Sequence, residues 1–87
     1  MTNKELAIIE AAKAVPMYNG YGYKLVDSLY RGIARIMGYE ICTFWHGDWN
    51  FRNNDDRKKA VAIVKGMAAK GIIQLSKSGM AYRIKIR

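Results

Sequence analysis

The chain has 87 residues, which is enough for one domain and too few for two ordinary hydrophobic cores. A hydrophobic content of 51% with 25% charged residues indicates a globular domain, and no apolar stretch is long enough to span a bilayer. The net charge of +8 lies wholly in the second half: residues 1–50 hold five basic and five acidic side chains, whereas residues 51–87 hold ten and two. This asymmetry favours an anion-binding surface for nucleic acid or another polyanion, with charge that serves only solubility as the alternative.

A first helix is predicted from Lys4 to Val15. Thr2 and Asn3 are its candidate N-caps, and Pro16 ends it because proline disfavours helical geometry in the residue before it. Residues 17–23, with two glycines and three tyrosines, are typical of a turn-rich connection.

The second helix is predicted from Lys24 to Met37, with Gly38 as its C-terminal stop. Four apolar residues recur at helical spacing and should form its buried stripe: Leu25, Leu29, Ile33 and Ile36. Four polar or basic residues fall on a face about 135° away and should form a basic stripe: Lys24, Ser28, Arg31 and Arg35.

The segment from Tyr39 to Asn53 fits either a short strand or a short helix followed by a turn. It contains five aromatic residues: Tyr39, Phe44, Trp45, Trp49 and Phe51. These rings could form a stacking platform for bases or a docking patch for a protein. Because so small a domain needs large apolar side chains in its core, we favour a core role for most of them.

The third helix is predicted from Asp55 to Lys70. The run from Asn53 to Asp56 offers capping oxygens and negative charge to its first turn, and Gly71 closes it. Its core face is expected to consist of Ala60, Val61, Val64, Met67 and Ala68.

A basic β-hairpin is predicted at the end of the sequence. Its strands run from Ile72 to Ser76 and from Met80 to Ile86, joined by Lys77-Ser78-Gly79. The second strand alternates, with one set of side chains expected to face the core: Met80, Tyr82, Ile84 and Ile86. The other set should face outward: Ala81, Arg83, Lys85 and Arg87.

The order of elements from Leu25 to Ile86 carries a resemblance. It rests on Arg57-Lys58-Lys59-Ala60-Val61, the Val64 and Met67 repeat, Lys70-Gly71-Ile72-Ile73, and Gly79 followed by Tyr82-Arg83-Ile84. This pattern resembles a winged helix-turn-helix domain, in which a recognition helix ends at a glycine and two strands form the wing. The resemblance implies an α+β fold: a single winged-helix-like domain over residues 1–87, with three helices followed by a C-terminal β-hairpin. Residues 1–15 would be an extra N-terminal helix, of a kind that often forms dimers, and residues 24–87 the winged-helix-like core.

The third helix also carries a face of small residues opposite its apolar stripe: Ala62, Gly66 and Ala69. Glycine inside a helix costs about 1 kcal/mol relative to alanine, so a reason in packing or close approach is expected. The face could admit DNA, could pack against a helix of a second subunit, or could simply be solvent surface. It is flanked by lysines that would reach phosphates: Lys58 and Lys65 on one side, Lys59 and Lys70 on the other.

These observations predict a small basic DNA-binding protein, a transcriptional or phage or mobile-element regulator. Phosphate contacts are expected from the third helix and the wing: Arg52, Arg57, Lys58, Lys59, Lys65, Lys70, Lys77, Arg83, Lys85 and Arg87. Base contacts would come from the start of the third helix: Asn53, Asn54, Arg57 and Lys58. One alternative is a phage-type inhibitor or adaptor that docks on an acidic surface of a nucleic-acid enzyme. Another is a single-stranded nucleic-acid binder that uses the aromatic residues.

Catalysis is not expected. His46 near Asp48 suggests a capped turn more than a general base, because no nucleophile or metal ligand accompanies it. Asp48, Asp55 and Asp56 are interpreted as caps and not as a metal site, and the lone Cys42 as a small core residue. The prediction is therefore a cytoplasmic protein without enzyme activity, cofactor, metal or membrane contact. DNA is its expected partner, and a host protein and a second copy of the chain are the alternatives.

Overall fold

Three helices and a small antiparallel sheet form the described part of the chain, in a computed structural model that describes residues 1–14, 24–42 and 51–85. The elements are α1 (Asn3–Lys13), β1 (Lys24–Leu25), α2 (Val26–Met37), α3 (Asn54–Ala69), β2 (Ile73–Leu75) and β3 (Ala81–Ile84). The predicted α+β fold, with three helices followed by a C-terminal β-hairpin, is confirmed. Predictions about Val15, Pro16, the turn-rich residues 17–23, Ile86 and Arg87 lie outside the described residues.

Helix α1 starts with a capping box. The Thr2 hydroxyl accepts from the Glu5 backbone N–H at 3.1 Å, and the Glu5 carboxylate accepts from the Thr2 backbone N–H at 2.8 Å. Two backbone donors that the helix leaves unpaired are thereby satisfied. Ile8, Ile9 and Ala12 are buried in the same core cluster as side chains of α2, α3 and β3, so the helix set apart in the sequence analysis belongs to the core.

Helix α2 begins later than predicted, because Lys24 and Leu25 pair with β3 instead of entering the helix. Its end at Gly38 is as predicted: the glycine has a φ of +73°, the left-handed conformation that terminates helices. The buried stripe is shifted as well. Leu29 and Ile33 are fully buried, whereas Ile36 is 40% exposed.

The predicted basic stripe of α2 is wrong at two positions. Ser28 is buried, donates its hydroxyl hydrogen to the Leu25 carbonyl at 2.9 Å, and lies 3.1 Å from the Tyr82 hydroxyl. Arg31 is half-buried and pairs with the buried Asp27 at 2.8 Å. Of the four predicted residues only Arg35 is an exposed cation whose side chain the structure describes.

The sheet has the order β1-β3-β2, with both pairs antiparallel. Leu25 lies opposite Ala81, and Leu75 lies opposite Tyr82. The Val26 backbone N–H donates to the carbonyl of Met80, the residue before β3, at 2.9 Å. This bond satisfies one of the backbone donors that the first turn of α2 leaves unpaired. Strand β3 is therefore central in the sheet. It pairs on one side with β1, which leads directly into α2, and on the other side with β2.

Helix α3 is close to its predicted bounds, and its core face is confirmed. Ala60, Val64 and Met67 are buried, and Val61 and Ala68 are partly buried against them. The helix ends before Gly71, whose φ of +76° turns the chain into β2. Before α3, residues 38–53 connect it to α2. Residues 43–50 of this connection lie outside the described residues.

Within the described part of this connection, Ile41 and Phe51 form an isolated antiparallel bridge. The short strand, or short helix followed by a turn, that the sequence predicts here falls mainly on residues outside the described ranges. Phe51 is buried, and its ring lies edge-on to those of Tyr30 and Tyr39 at centroid distances of 5.9 and 6.0 Å. Phe51 is therefore a core residue, unavailable for stacking on a base. Phe44, Trp45, Trp49, His46 and Asp48 lie outside the described residues.

Candidate nucleic-acid interface

The start of α3 is held by short-range hydrogen bonds. The Asn53 side-chain oxygen accepts from the backbone N–H groups of Asp55 and Asp56 at 2.8 and 3.4 Å, as expected of an N-cap. The Asn54 side-chain oxygen accepts from Arg57 Nε at 3.0 Å. Both amide oxygens are thus in use within the chain. The two carboxylates in this turn complement the helix dipole and give its N-terminus the wrong sign for phosphate.

The body of α3 presents cations to solvent. Three lysines of this helix are exposed: Lys58, Lys59 and Lys65. Their ammonium groups form no ion pair or hydrogen bond in the described part of the chain. Lys58 and Lys65 are seven residues apart, so they lie on one side of the helix about 10 Å from each other. Lys59 lies about 100° further around the helix.

The small residues of α3 border open space. Ala62 and Ala69 are exposed, Gly66 is half-buried, and a Cβ built on Gly66 would have no atom within 4 Å. A groove of about 360 Å³ separates this face from the first turns of α1. It is lined by Thr2, Lys4, Glu5 and Ile8 from α1 and its cap, and by Ala62, Ile63, Gly66 and Lys70 from α3 and its end.

Lys70 differs from the other predicted lysines because it is bound across this groove. Its ammonium donates to Glu5 Oε2 at 3.0 Å. The Thr2 backbone N–H, and then Lys70, hold the pKa of Glu5 at about 2, below its usual 4.5. Glu5 is therefore ionised at neutral pH and cancels the charge of Lys70.

The hairpin carries the remaining described cations. Lys77 lies in the turn, which is closed by hydrogen bonds between Ser76 and Ala81 and has Gly79 at a φ of +74°. Arg83 and Lys85 are exposed as predicted, and Arg83 Nε donates to the side chain of its cross-strand neighbour Gln74 at 3.0 Å. That bond orients the guanidinium without neutralising its charge.

Two residues of the predicted second strand were assigned to the wrong face. Ala81 was expected to face outward, but it lies opposite Leu25 in the pair with β1 and is buried. Met80 was expected to face the core, but it precedes the strand and is 56% exposed. Tyr82, in contrast, is fully buried as predicted, and Ile84 packs against the core.

The structure thus separates the predicted site residues into groups. Six are exposed, and their side chains have no hydrogen-bond or ion-pair partner in the described ranges: Arg52, Lys58, Lys59, Lys65, Lys77 and Lys85. Five take part in contacts within the chain: Asn53, Asn54, Arg57, Lys70 and Arg83. Arg87 lies outside the described residues.

Lys4 and Glu5 were missed by the sequence analysis, although both border the groove beside α3. One signal was present in the sequence. Thr2 and Glu5 have the three-residue spacing of a capping box, which fixes Glu5 on the first turn of the helix. The pairing of Glu5 with Lys70 had no signal, because it depends on the packing of α1 beside α3.

Other candidate sites contribute little to the described surface. Cys42 is a half-buried free thiol, and no group of three or more potential metal ligands occurs among the described residues. No helix in these ranges is long and apolar enough to cross a membrane. No protein-family model matches the chain, and neither a curated protein nor a solved structure shows significant similarity to it.

Proposed function

We propose that this chain is a small nucleic-acid-binding domain that holds the phosphate backbone of DNA with α3 and the β2–β3 hairpin. The observation that carries the proposal is the set of six exposed cations without partners in the described part of residues 51–85. Lysines that are not neutralised within the protein can release counterions from a polyanion, which is the main electrostatic source of binding to DNA.

The arrangement of the second half supports this proposal. Helix α3 ends at Gly71 and is followed by a strand, a turn and a second strand, the order that the winged-helix resemblance implies. Hydrogen bonds to Val26 and Ser28 anchor this hairpin to α2, so its cations have a fixed support. A rigid positively charged surface loses less entropy on binding than a flexible one.

The body of α3, and not its start, is the proposed contact with the backbone. Asp55 and Asp56 repel phosphate at the first turn, whereas Lys58 and Lys65 have no acidic partner among the described residues. The face beside these two lysines carries Ala62 and Gly66, which offer no side-chain hydrogen bonds for reading bases. We therefore expect phosphate binding with weak sequence preference. Lys70 is assigned to the contact with Glu5.

The test is fluorescence anisotropy with labelled duplex DNA, single-stranded DNA and RNA over a range of salt concentrations. If the six cations each meet a phosphate, the plot of log affinity against log salt has a slope of about −5. A flat salt response, or no binding to any nucleic acid at low salt, would contradict the proposal. The second result would favour an acidic protein surface as the partner.

A pair of double variants separates the surface from the net charge. Lys58→Gln with Lys65→Gln should reduce the slope by about 2, because two phosphate contacts are lost. Lys13→Gln with Arg35→Gln removes two exposed cations from the first half instead, so both proteins carry +6, which is 8 minus 2. The control should bind nearly as the parent does, and equal losses in the two variants would show that only net charge matters.

A further inference from the structure

The groove between α1 and α3 is a described feature that the proposed function leaves unused. One wall is the first part of α1, with Thr2 and Lys4, and the other is the Ala62 and Gly66 face of α3. The ion pair between Glu5 and Lys70 joins the two walls. The groove therefore continues the proposed α3 surface onto a helix that the sequence analysis placed outside the DNA-binding region.

The charge in this groove favours an anion. Two cations and one anion line it, so one positive charge remains after Glu5 and Lys70 cancel. That charge belongs to Lys4, which is exposed and has no ion pair or hydrogen bond in the described ranges. Glu5 does not pair with Lys4 in this structure: its two carboxylate oxygens accept from Thr2 and Lys70.

The shape of the groove suits a chain that runs across α3. Beyond the neighbouring turns of α3, no atom of the described residues lies within 4 Å of the position of a Gly66 Cβ, and Ala62 is exposed beside it. A strand that contacts Lys58 and Lys65 on one side of this face would meet Lys4 on the other side. A second copy of the chain is a poor occupant because each copy carries +8 and the two would repel each other.

We propose that this groove carries one sugar–phosphate strand of the bound nucleic acid, with Lys4 as its phosphate contact on α1. The inference rests on the proposed function and extends its surface from the basic half of the chain to the neutral half. It also divides two lysines by role: Lys4 contacts phosphate, whereas Lys70 positions α1 against α3.

The experiment compares Lys4→Gln with Lys13→Gln in the duplex-binding assay. Both variants remove one exposed lysine from α1, at sites nine residues or about 14 Å apart. Loss of one phosphate contact should reduce the salt slope by about 0.9, which corresponds to roughly eightfold weaker binding at 0.1 M salt. Lys4→Gln should show this loss, Lys4→Arg should restore binding, and Lys13→Gln should behave as the parent does. Circular dichroism checks that all three remain folded.

Two results would overturn the inference by different routes. If Lys4→Gln and Lys13→Gln bind alike while the parent binds with a steep salt slope, the groove is unused and the proposed function stands. If the parent binds no nucleic acid, the proposed function fails and this inference fails with it.

A steric variant adds a second readout. Gly66→Leu places a side chain in the groove and should weaken DNA binding several-fold, and by more than the smaller side chain of Gly66→Ala does. Poly-L-glutamate serves as a probe for an acidic peptide. Loss of poly-L-glutamate binding in the leucine variant, with DNA binding intact, would assign the groove to an acidic protein segment and overturn the inference.

Discussion

Gly32 in α2 and Gly66 in α3 both lie inside helices, and their surroundings are opposite. A Cβ on Gly32 would lie 2.9 Å from the Ile8 carbonyl oxygen and 3.0 Å from the Ala12 backbone nitrogen. A Cβ on Gly66 would meet no described atom within 4 Å beyond the neighbouring turns of α3. Glycine costs both helices about the same stability relative to alanine. In α2 this cost is offset by close packing on α1, but in α3 no contact within the described chain offsets it. Helices α1 and α2 are therefore in close backbone contact at Gly32, whereas the face of α3 around Gly66 is open.

The largest expected effect in this comparison comes from Gly32→Ala. Because the new methyl group would press on backbone atoms of α1, the two helices must move apart, and overpacking of this kind typically costs about 1–3 kcal/mol. Urea unfolding followed by circular dichroism measures the change in the free energy of unfolding. A variant as stable as the parent would mean that α1 moves aside freely and that the contact is not tight.

The opposite sign is expected for Gly66→Ala. Alanine gains up to about 1 kcal/mol from its higher helix propensity, since its methyl group enters open space. The same unfolding assay applies, and the concentration of protein should be varied. A loss of stability that depends on concentration would show that this face packs against a second copy of the chain.

A pH-dependent effect concerns the ion pair that joins the two regions. The pKa of Glu5 is about 2 in the folded protein, below its usual 4.5, so its ionised form stabilises the fold above about pH 4.5. This stabilisation is lost as the pH falls toward 2. Glu5→Gln should flatten the dependence of stability on pH in that window, while its amide can still accept from the Thr2 N–H.

Lys70→Met distinguishes the two donors to Glu5. The Thr2 backbone N–H is the larger cause of the lowered pKa and remains in this variant, so part of the pH dependence should persist. Identical curves for Lys70→Met and Glu5→Gln would mean that Lys70 is the main cause. Unfolding by urea at a series of pH values between 2 and 7 provides the measurement.

Sequence reasoning predicted the second half of the fold well, because its signals are local. Asn53 and Gly71 mark the two ends of α3, and the spacing of Ala60, Val64 and Met67 identifies its buried face. Strand β1 could not be found in the same way. Lys24 and Leu25 continue the helical pattern of the residues after them, and they become a strand only by pairing with Tyr82 and Ala81 late in the chain.

The candidate site was predictable in its charge but not in its detail. The basic half was evident from the sequence, and its exposed lysines follow from the helical spacing of α3. The burial of Ser28 depends on Tyr82, and the neutralisation of Lys70 depends on Glu5, at the opposite end of the chain. Such long-range partners decide which polar groups are still available to a ligand, and no pattern within one helix reveals them.

The strand order β1-β3-β2 has a consequence for the timing of folding. The central strand, β3, is translated after both strands that flank it, so neither β1 nor β2 has its partner when it leaves the ribosome. Helix α2 meanwhile lacks the Met80 carbonyl that accepts from its first residue. We expect the helices to collapse first and the sheet to close in one late step, once residues 81–84 have emerged. A chain truncated after Met80 should be helical but without the sheet, and proteases should cut it readily.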